Sequence, residues 1–304
     1  MPHKPAPLTA GDLVSLVAPA GPCDSGRLDA GIKLLESWGL RVNEPPSTAG
    51  DSLHYLAADD RTRARGIVEA FGSPDVRAIL SVRGGYGSAR LHELVDVSAA
   101  ASDPKIFVGF SDVTVLLSRL VQSADMVCYH GPMVAADLPR LDAEAGDRFR
   151  RFLFGQPDWF DGEARECWRR GDGAEGPLVG GCLSMLVTTL GTPYDVDTDH
   201  CVLFLEDVAE KPYRIDRMLN HMKHAGKFDH VRGLVLGPMI DCDDGGGSEL
   251  LRAVFLDVLA DFDFPIVFGL EAGHGSANVV LPLGCRARLD VAGAGLELLE
   301  SPFA

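Results

Sequence analysis

A chain of 304 residues, 46% hydrophobic and 24% charged, has room for two domains or one large α/β domain, and its composition is that of a soluble globular protein. Its 44 acidic against 28 basic residues give a formal net charge of -16. That balance argues against a general nucleic-acid binder and against attachment to anionic membranes, since both need clustered Lys and Arg.

The N-terminal stretch MPHKPAPLTAGDLVSLVAPAG has too short an apolar core for a secretory signal, interrupted by Ser15 and followed by Pro19. Residues 12–18 (DLVSLVA) read as a first strand, and PAGPCDSG as a loop of turn formers. Residues 27–38 place Leu28, Ile32, Leu35 and Trp38 near one face of a helix, and Leu40 and Val42 begin a short strand. A polar-faced helix follows from Asp59 to Phe71, then a buried-type strand from Val76 to Val82. RGGYGSARL (83–91) is expected to turn into another helix.

Residues 104–121 (PKIFVGFSDVTVLLSRLV) organise this half. Ile106, Phe107 and Val108 form an apolar strand ending at Gly109, and Val113, Leu116, Leu117, Leu120 and Val121 recur at helical spacing. Ser111 falls at the turn between them. A hydroxyl there sits by the positive end of the helix dipole, and the N–H of Asp112 points at the same place, which suits a nucleophile whose attack creates an oxyanion. A plain helix cap at Ser111 or Asp112 is the alternative. Met126 to Tyr129 gives a last short strand. Alternating strands and helices imply a parallel sheet, on which ligands gather at the carboxyl ends of the strands.

Residues 155–177 lose periodicity and gain Gly, Asp and charge, so they read as a crossing between an N-terminal domain, 1–154, and a C-terminal domain, 178–304. The second domain is expected to be mixed α+β. It has a helix at about 182–190 and a strand at 201–205 that ends in Glu206 and Asp207. A helix runs from Pro212 to His224 and is stopped by Gly226. A strand at 231–237, a helix at 249–259, a strand at 265–270 and short tail strands at 279–281, 286–291 and 295–299 complete it. DCDDGGG (241–247) reads as a surface loop. The seven cysteines are scattered, odd in number and without C-x-x-C, so neither a disulfide framework nor a zinc site is expected. No window approaches a membrane span, and a cytoplasmic protein is expected.

Three further pieces carry possible chemistry. The glycines of RGGYG (83–87) can present N–H groups to an anion, but Arg90 stands where a dinucleotide fingerprint needs its third glycine. In LFLEDV (203–208), alternation sends Glu206 and Asp207 to opposite faces, so one of them can face a cleft. In GLEAGHGSAN (269–278), His274 lies between two glycines after a buried strand, placed for proton transfer. His221 and His224 share a helix but lack a partner at metal-ligand spacing. Ser111, Glu206 and His274 together supply nucleophile, orienting carboxylate and base, although GFSDV is not the G-x-S-x-G elbow of α/β-hydrolases.

Read end to end, LVAPAG, VRGGYGSARL, VGFSDVT, HGPMV, LVGGCLSMLVTTLGTPY, LFLEDV with PYRIDRML, LVLG and GLEAGHGSANVVLPLG resemble, in this order, the LD-carboxypeptidases, serine peptidases of murein recycling. The resemblance implies an α/β fold. An N-terminal flavodoxin-like parallel-sheet domain is followed by a smaller mixed α+β domain of the swivelling β/β/α type, commonly in a homodimer. It implies release of the terminal D-alanine from murein tetrapeptide without metal or organic cofactor. By motif, Ser111 resembles the nucleophile, His274 the base and Glu206 its orienting partner, with the N–H groups of Gly85 and Asp112 as the oxyanion hole. Arg83 is the nearest cation for the substrate carboxylate. Cys182 stands where the family pattern carries Asn, which puts substrate preference in question. The family includes relatives resembling the microcin C immunity peptidases. An aminoacyl-nucleotide substrate is therefore the rival reading, with Trp159 and Trp168 as its candidate aromatic cluster.

Overall fold

The structure is a computed structural model describing residues 2–44, 54–156, 164, 166–169, 171–245, 247–293 and 295–304. By its contacts the chain divides into two compact units. The first comprises 1–161, 279–282 and 302–304, and the second 162–278 and 283–301.

The first unit is α/β. Strands β1 (Leu13–Val17), β2 (Arg41–Asn43), β3 (Val76–Ser81), β4 (Ile106–Gly109) and β5 (Cys128–His130) pair in parallel. Their central members are apolar on both faces, with Val14, Leu16, Ile79, Leu80, Phe107 and Val108 fully buried, as a parallel sheet covered by helices requires. The helices are α1 (Ser25–Ser37), α2 (Asp60–Gly72), a short α3 (Ser98–Ser102), α4 (Thr114–Ala124) and α5 (Ala143–Leu153). Three begin on aspartate caps: the carboxylates of Asp24, Asp59 and Asp142 accept the N–H groups of Arg27, Thr62 and Ala145.

The second unit holds a mixed sheet. Strands β6 (Glu166–Arg169), β7 (Ala174–Cys182), β8 (Val202–Val208), β9 (Gly233–Ile240) and β10 (Ile266–Phe268) accompany helices α6 (Leu183–Thr189), α7 (Pro212–His224) and α8 (Gly247–Val258). Next in the chain, β11 (Leu281–Leu283) joins the first sheet, whose order is β11-β5-β4-β3-β1-β2. With β12 (Arg286–Asp290) and β13 (Gly295–Leu298), the second sheet runs β13-β12-β7-β8-β9-β10-β6. Here β7, β8, β9 and β10 are parallel, while β6, β12 and β13 pair antiparallel at the margins. One face packs Leu203, Leu205, Leu234 and Leu236 against Leu219 and Met222 of α7 and Phe255 of α8.

Four expectations change. RGGYGSARL does not become an α-helix; only a 3-10 turn forms at Ser88–Leu91. The crossing holds a strand, β6, paired antiparallel with β10. The tail is divided, with residues 279–282 and 302–304 belonging to the first unit. Trp168 is a core residue, stacked on Phe268 at 4.3 Å between ring centroids, and Trp159 lies outside the described residues.

A glycine of β7, Gly180, decides how closely β7 and β8 approach. Gly180 and Gly181 have φ of +130° and +143°, which L side chains rarely adopt. A Cβ at Gly180 would overlap the carbonyl oxygen of Phe204 in β8. Gly180→Ala is expected to lower stability by about 3 kcal/mol, measured by thermal or denaturant unfolding. A change within error would contradict this account of the β7–β8 contact.

Candidate active site

The strand-turn-helix at Ser111 is built by close packing. A Cβ at Gly109 would lie 2.7 Å from Val113 Cγ1 and 2.9 Å from Ser81 Oγ, so a side chain would force the turn apart. After Phe110 in extended backbone, a 3-10 turn runs Ser111–Val113 into α4. Ser111 itself has φ +58°. A left-handed conformation costs a non-glycine residue roughly 1–2 kcal/mol, and such cost is retained where it aims a side chain. Val113 occupies the cap position of α4 and bonds through no side chain, and the hydrogen bonds of the Asp112 carboxylate go to Gly87 and Ser88 instead.

The RGGYG loop lies against this turn. A Cβ at Gly84 would stand 3.1 Å from Ser111 Cβ, 3.2 Å from Ser111 Oγ and 3.5 Å from the Asp112 nitrogen. Gly85 has φ +115° and Gly87 φ +131°. The N–H groups of Gly85 and Asp112 donate to no acceptor among the described residues. The Asp112 carboxylate is buried and accepts from the N–H groups of Gly87 and Ser88. Arg83 donates to the carbonyls of Pro22 and Gly84 at 2.9 and 3.2 Å, so at least part of its guanidinium braces two loops.

In the second unit, Glu206 and His274 meet. Glu206, on β8, is fully buried. Its Oε2 lies 2.6 Å from His274 Nδ1 and accepts the His274 backbone N–H at 3.1 Å. With Nδ1–H donated to the carboxylate, Nε2 is the nitrogen that carries the lone pair. The loop approaches Glu206 by its glycine: Gly273 has φ +105°, and a Cβ there would lie 2.5 Å from Oε2. Asn278, with φ +39°, accepts the Gly273 N–H on its Oδ1 at 2.9 Å and closes the loop. Sequence reasoning gave Asn278 no role. Its signal was an Asn, tolerant of left-handed backbone, ending a glycine loop.

Asp207 points the other way, as alternation requires. It accepts from the Ser184 N–H at 2.7 Å and from the Ser184 hydroxyl at 3.3 Å, and lies 3.6 Å from Cys182 Sγ. Burial raises the Asp207 carboxyl above the ordinary range. Burial, with the Glu206 and Asp207 charges beside it, raises the Cys182 thiol well above its usual value, so at neutral pH Cys182 is a protonated thiol turned to Ser184 and Asp207. None of the seven cysteines forms a disulfide. Among the described residues, no group of three or more His, Cys, Asp or Glu could hold a metal ion, and no helix is long and apolar enough to cross a membrane.

Two family models match the chain: the LD-carboxypeptidase N-terminal domain over residues 14–131 and the LD-carboxypeptidase C-terminal domain over 175–289. The probable murein peptide carboxypeptidase of Bacillus subtilis (strain 168) is 35% identical over 295 residues, covering 95% of this chain and 92% of the relative. The crystal structure of muramoyltetrapeptide carboxypeptidase from Oxalobacter formigenes superposes with a TM-score of 0.79 at 32% identity, covering 94% of this chain and 97% of that one. The Escherichia coli microcin C7 self-immunity protein MccF is 26% identical, covering 97% of this chain and 95% of the relative. A structure of MccF shares the fold, with a TM-score of 0.88 at 23% identity over the whole of both chains. On these matches, running almost from end to end, the chain belongs to the LD-carboxypeptidase family.

Proposed function

We propose that the protein is a serine LD-carboxypeptidase that releases the terminal D-alanine of murein tetrapeptide. The observation that carries the reading is the 2.6 Å contact of His274 Nδ1 with the buried Glu206 carboxylate, which leaves the other ring nitrogen as a base. The relatives named for murein peptides supply the substrate class.

The chemistry follows from the residues. Ser111 Oγ attacks the carbonyl carbon on the L-centre of the diamino acid while His274 Nε2 takes its proton. Charge developing on the carbonyl oxygen is met by the N–H groups of Gly85 and Asp112. The imidazolium, stabilised by Glu206, then protonates the amine of D-alanine as the C–N bond breaks, leaving the tripeptide as an ester on Ser111. Water, giving its proton to His274, attacks that ester and frees the tripeptide carboxylate and the hydroxyl. Arg83 is the proposed partner of the substrate's terminal carboxylate, and Cys182 influences substrate choice through its contacts with Ser184 and Asp207. The rival aminoacyl-nucleotide reading gains no aromatic surface from Trp168, which is a core residue.

Purified murein tetrapeptide is expected to yield D-alanine with the wild-type protein, at a rate reduced about 10⁴-fold or more in Ser111→Ala. Equal release by both would remove Ser111 from the mechanism. Release by neither, from folded protein, would move the substrate to an aminoacyl-adenylate analogue. Arg83→Ala is expected to raise KM for tetrapeptide about tenfold, the scale of one charge-assisted hydrogen bond. Steady-state kinetics with an unchanged KM would exclude Arg83 as the carboxylate's partner.

A further inference from the structure

We propose that the side chain of Asp112 is a positioning residue of the oxyanion hole. Its main chain offers one N–H to the developing charge, while its carboxylate fixes the loop that offers the other. This rests on the reading of Ser111 as nucleophile.

The argument begins with the loop's own freedom. Residues 84–87 include three glycines, two of them in left-handed backbone. Glycine has the most conformational freedom to lose on ordering, so such a loop does not hold an N–H in a fixed direction by itself. Something outside the loop must fix it. The Asp112 side chain is 1% exposed, and both its oxygens are spent on this loop. Oδ2 accepts the Ser88 N–H at 2.8 Å and Oδ1 the Gly87 N–H at 3.3 Å. Burying a carboxylate is costly unless hydrogen bonds replace its water, and bonds to an ionised acceptor are the stronger kind. A short neutral residue would let α4 begin equally well, because the Asp112 side chain does not cap the helix. The charge is explained by the loop it holds.

The same peptide is held from its other end. Arg63 is 1% exposed and donates to the carbonyl of Gly87 at 3.0 Å, and also to those of Pro19 and Ala58. Asp60 pairs with Arg63, and Arg90 clamps Asp60 through two nitrogens. The Arg90 hydrogen bonds hold the Asp60 carboxyl below the usual carboxylate range. At Gly87 there is no slack, since a Cβ would lie 2.5 Å from Leu56 Cδ2 and 2.8 Å from Arg63 Nη1. Gly87 is thus held between a buried anion on its N–H and a buried cation on its carbonyl. Three residues earlier, Gly84 abuts Ser111. The direction of the Gly85 N–H relative to Ser111 is therefore set by where Asp112 and Arg63 hold Gly87.

The test compares wild type with Asp112→Asn and Asp112→Ala by two measurements. One is the rate at which a fluorophosphonate labels Ser111, losing fluoride, followed by mass spectrometry. The other is amide hydrogen exchange over residues 83–91. Asn keeps the shape of the side chain but turns an amide NH2 toward one of the two N–H groups, so it tests the role even where Ala fails to fold. Labelling is expected to slow about tenfold or more in Asp112→Asn and about 10²-fold in Asp112→Ala, with faster exchange over 83–91 in both. Phe149→Leu, in α5 and packed on Trp38, is the control for lost stability in the same unit and is expected to label at the wild-type rate. Unchanged exchange and labelling in Asp112→Asn would overturn the proposal, as would equal slowing in Phe149→Leu at a matched loss of stability. A wild type that takes no label would overturn the nucleophile reading, whereas labelling with unaltered exchange in the variants would overturn the anchor alone, so the two failures are told apart.

Discussion

One carboxylate oxygen, Oε2 of Glu206, is bound twice by the same residue: by the His274 main-chain N–H and by Nδ1 of its ring. The first bond fixes where the loop runs and the second fixes how the imidazole is turned. Much around it makes room for that contact. Gly273 brings its backbone onto the carboxyl group, where a Cβ would not fit. Gly237 on β9 does the same beside Glu206 Cβ, at 2.8 Å from where its own Cβ would stand. Gly180 lets β7 close on β8, the strand that carries Glu206. A run of residues that reads as loose glycine in the sequence is the space into which one hydrogen-bonded pair is fitted.

The first unit solves the complementary problem with a different device. A nucleophile needs a fixed direction, and Ser111, the proposed one, has left-handed backbone at a turn that Gly109 keeps tight. Asp112 then works on two levels. Its nitrogen belongs to the turn and its carboxylate to the neighbouring loop. Loops that carry function are commonly held by a rigid scaffold. Here the scaffold reaches the loop through charged side chains as well as through the strand that precedes it.

Much of this was legible in the sequence, and the failures have physical causes. The bounds of α7 could be read directly, because Pro212 suits a first turn and Gly226, at φ +73°, ends the helix. The opposite facing of Glu206 and Asp207 followed from the period of a strand. RGGYGSARL misled because its backbone groups are taken by Asp112 and Arg63, residues distant in sequence. Strand β6 was hidden because it is a marginal, antiparallel strand of four residues amid charge and glycine. Trp168 was given a ligand-facing place, yet the apolar neighbours that bury it, Phe255 and Phe268, are about a hundred residues away. The side-chain roles of Asp112 and Asn278 were invisible for the same reason: a hydrogen bond across a fold leaves no periodicity.

The central claim is that Glu206 acts through His274 and through nothing else. It is tested most directly by a double-mutant cycle on kcat/KM for tetrapeptide, using Glu206→Gln, His274→Ala and the two combined. The account predicts that each single change is severe and that the combined variant is no slower than His274→Ala, because an orienting carboxylate has nothing left to orient. Losses that multiply would contradict it and would require Glu206 to act on the reaction by a route independent of the imidazole.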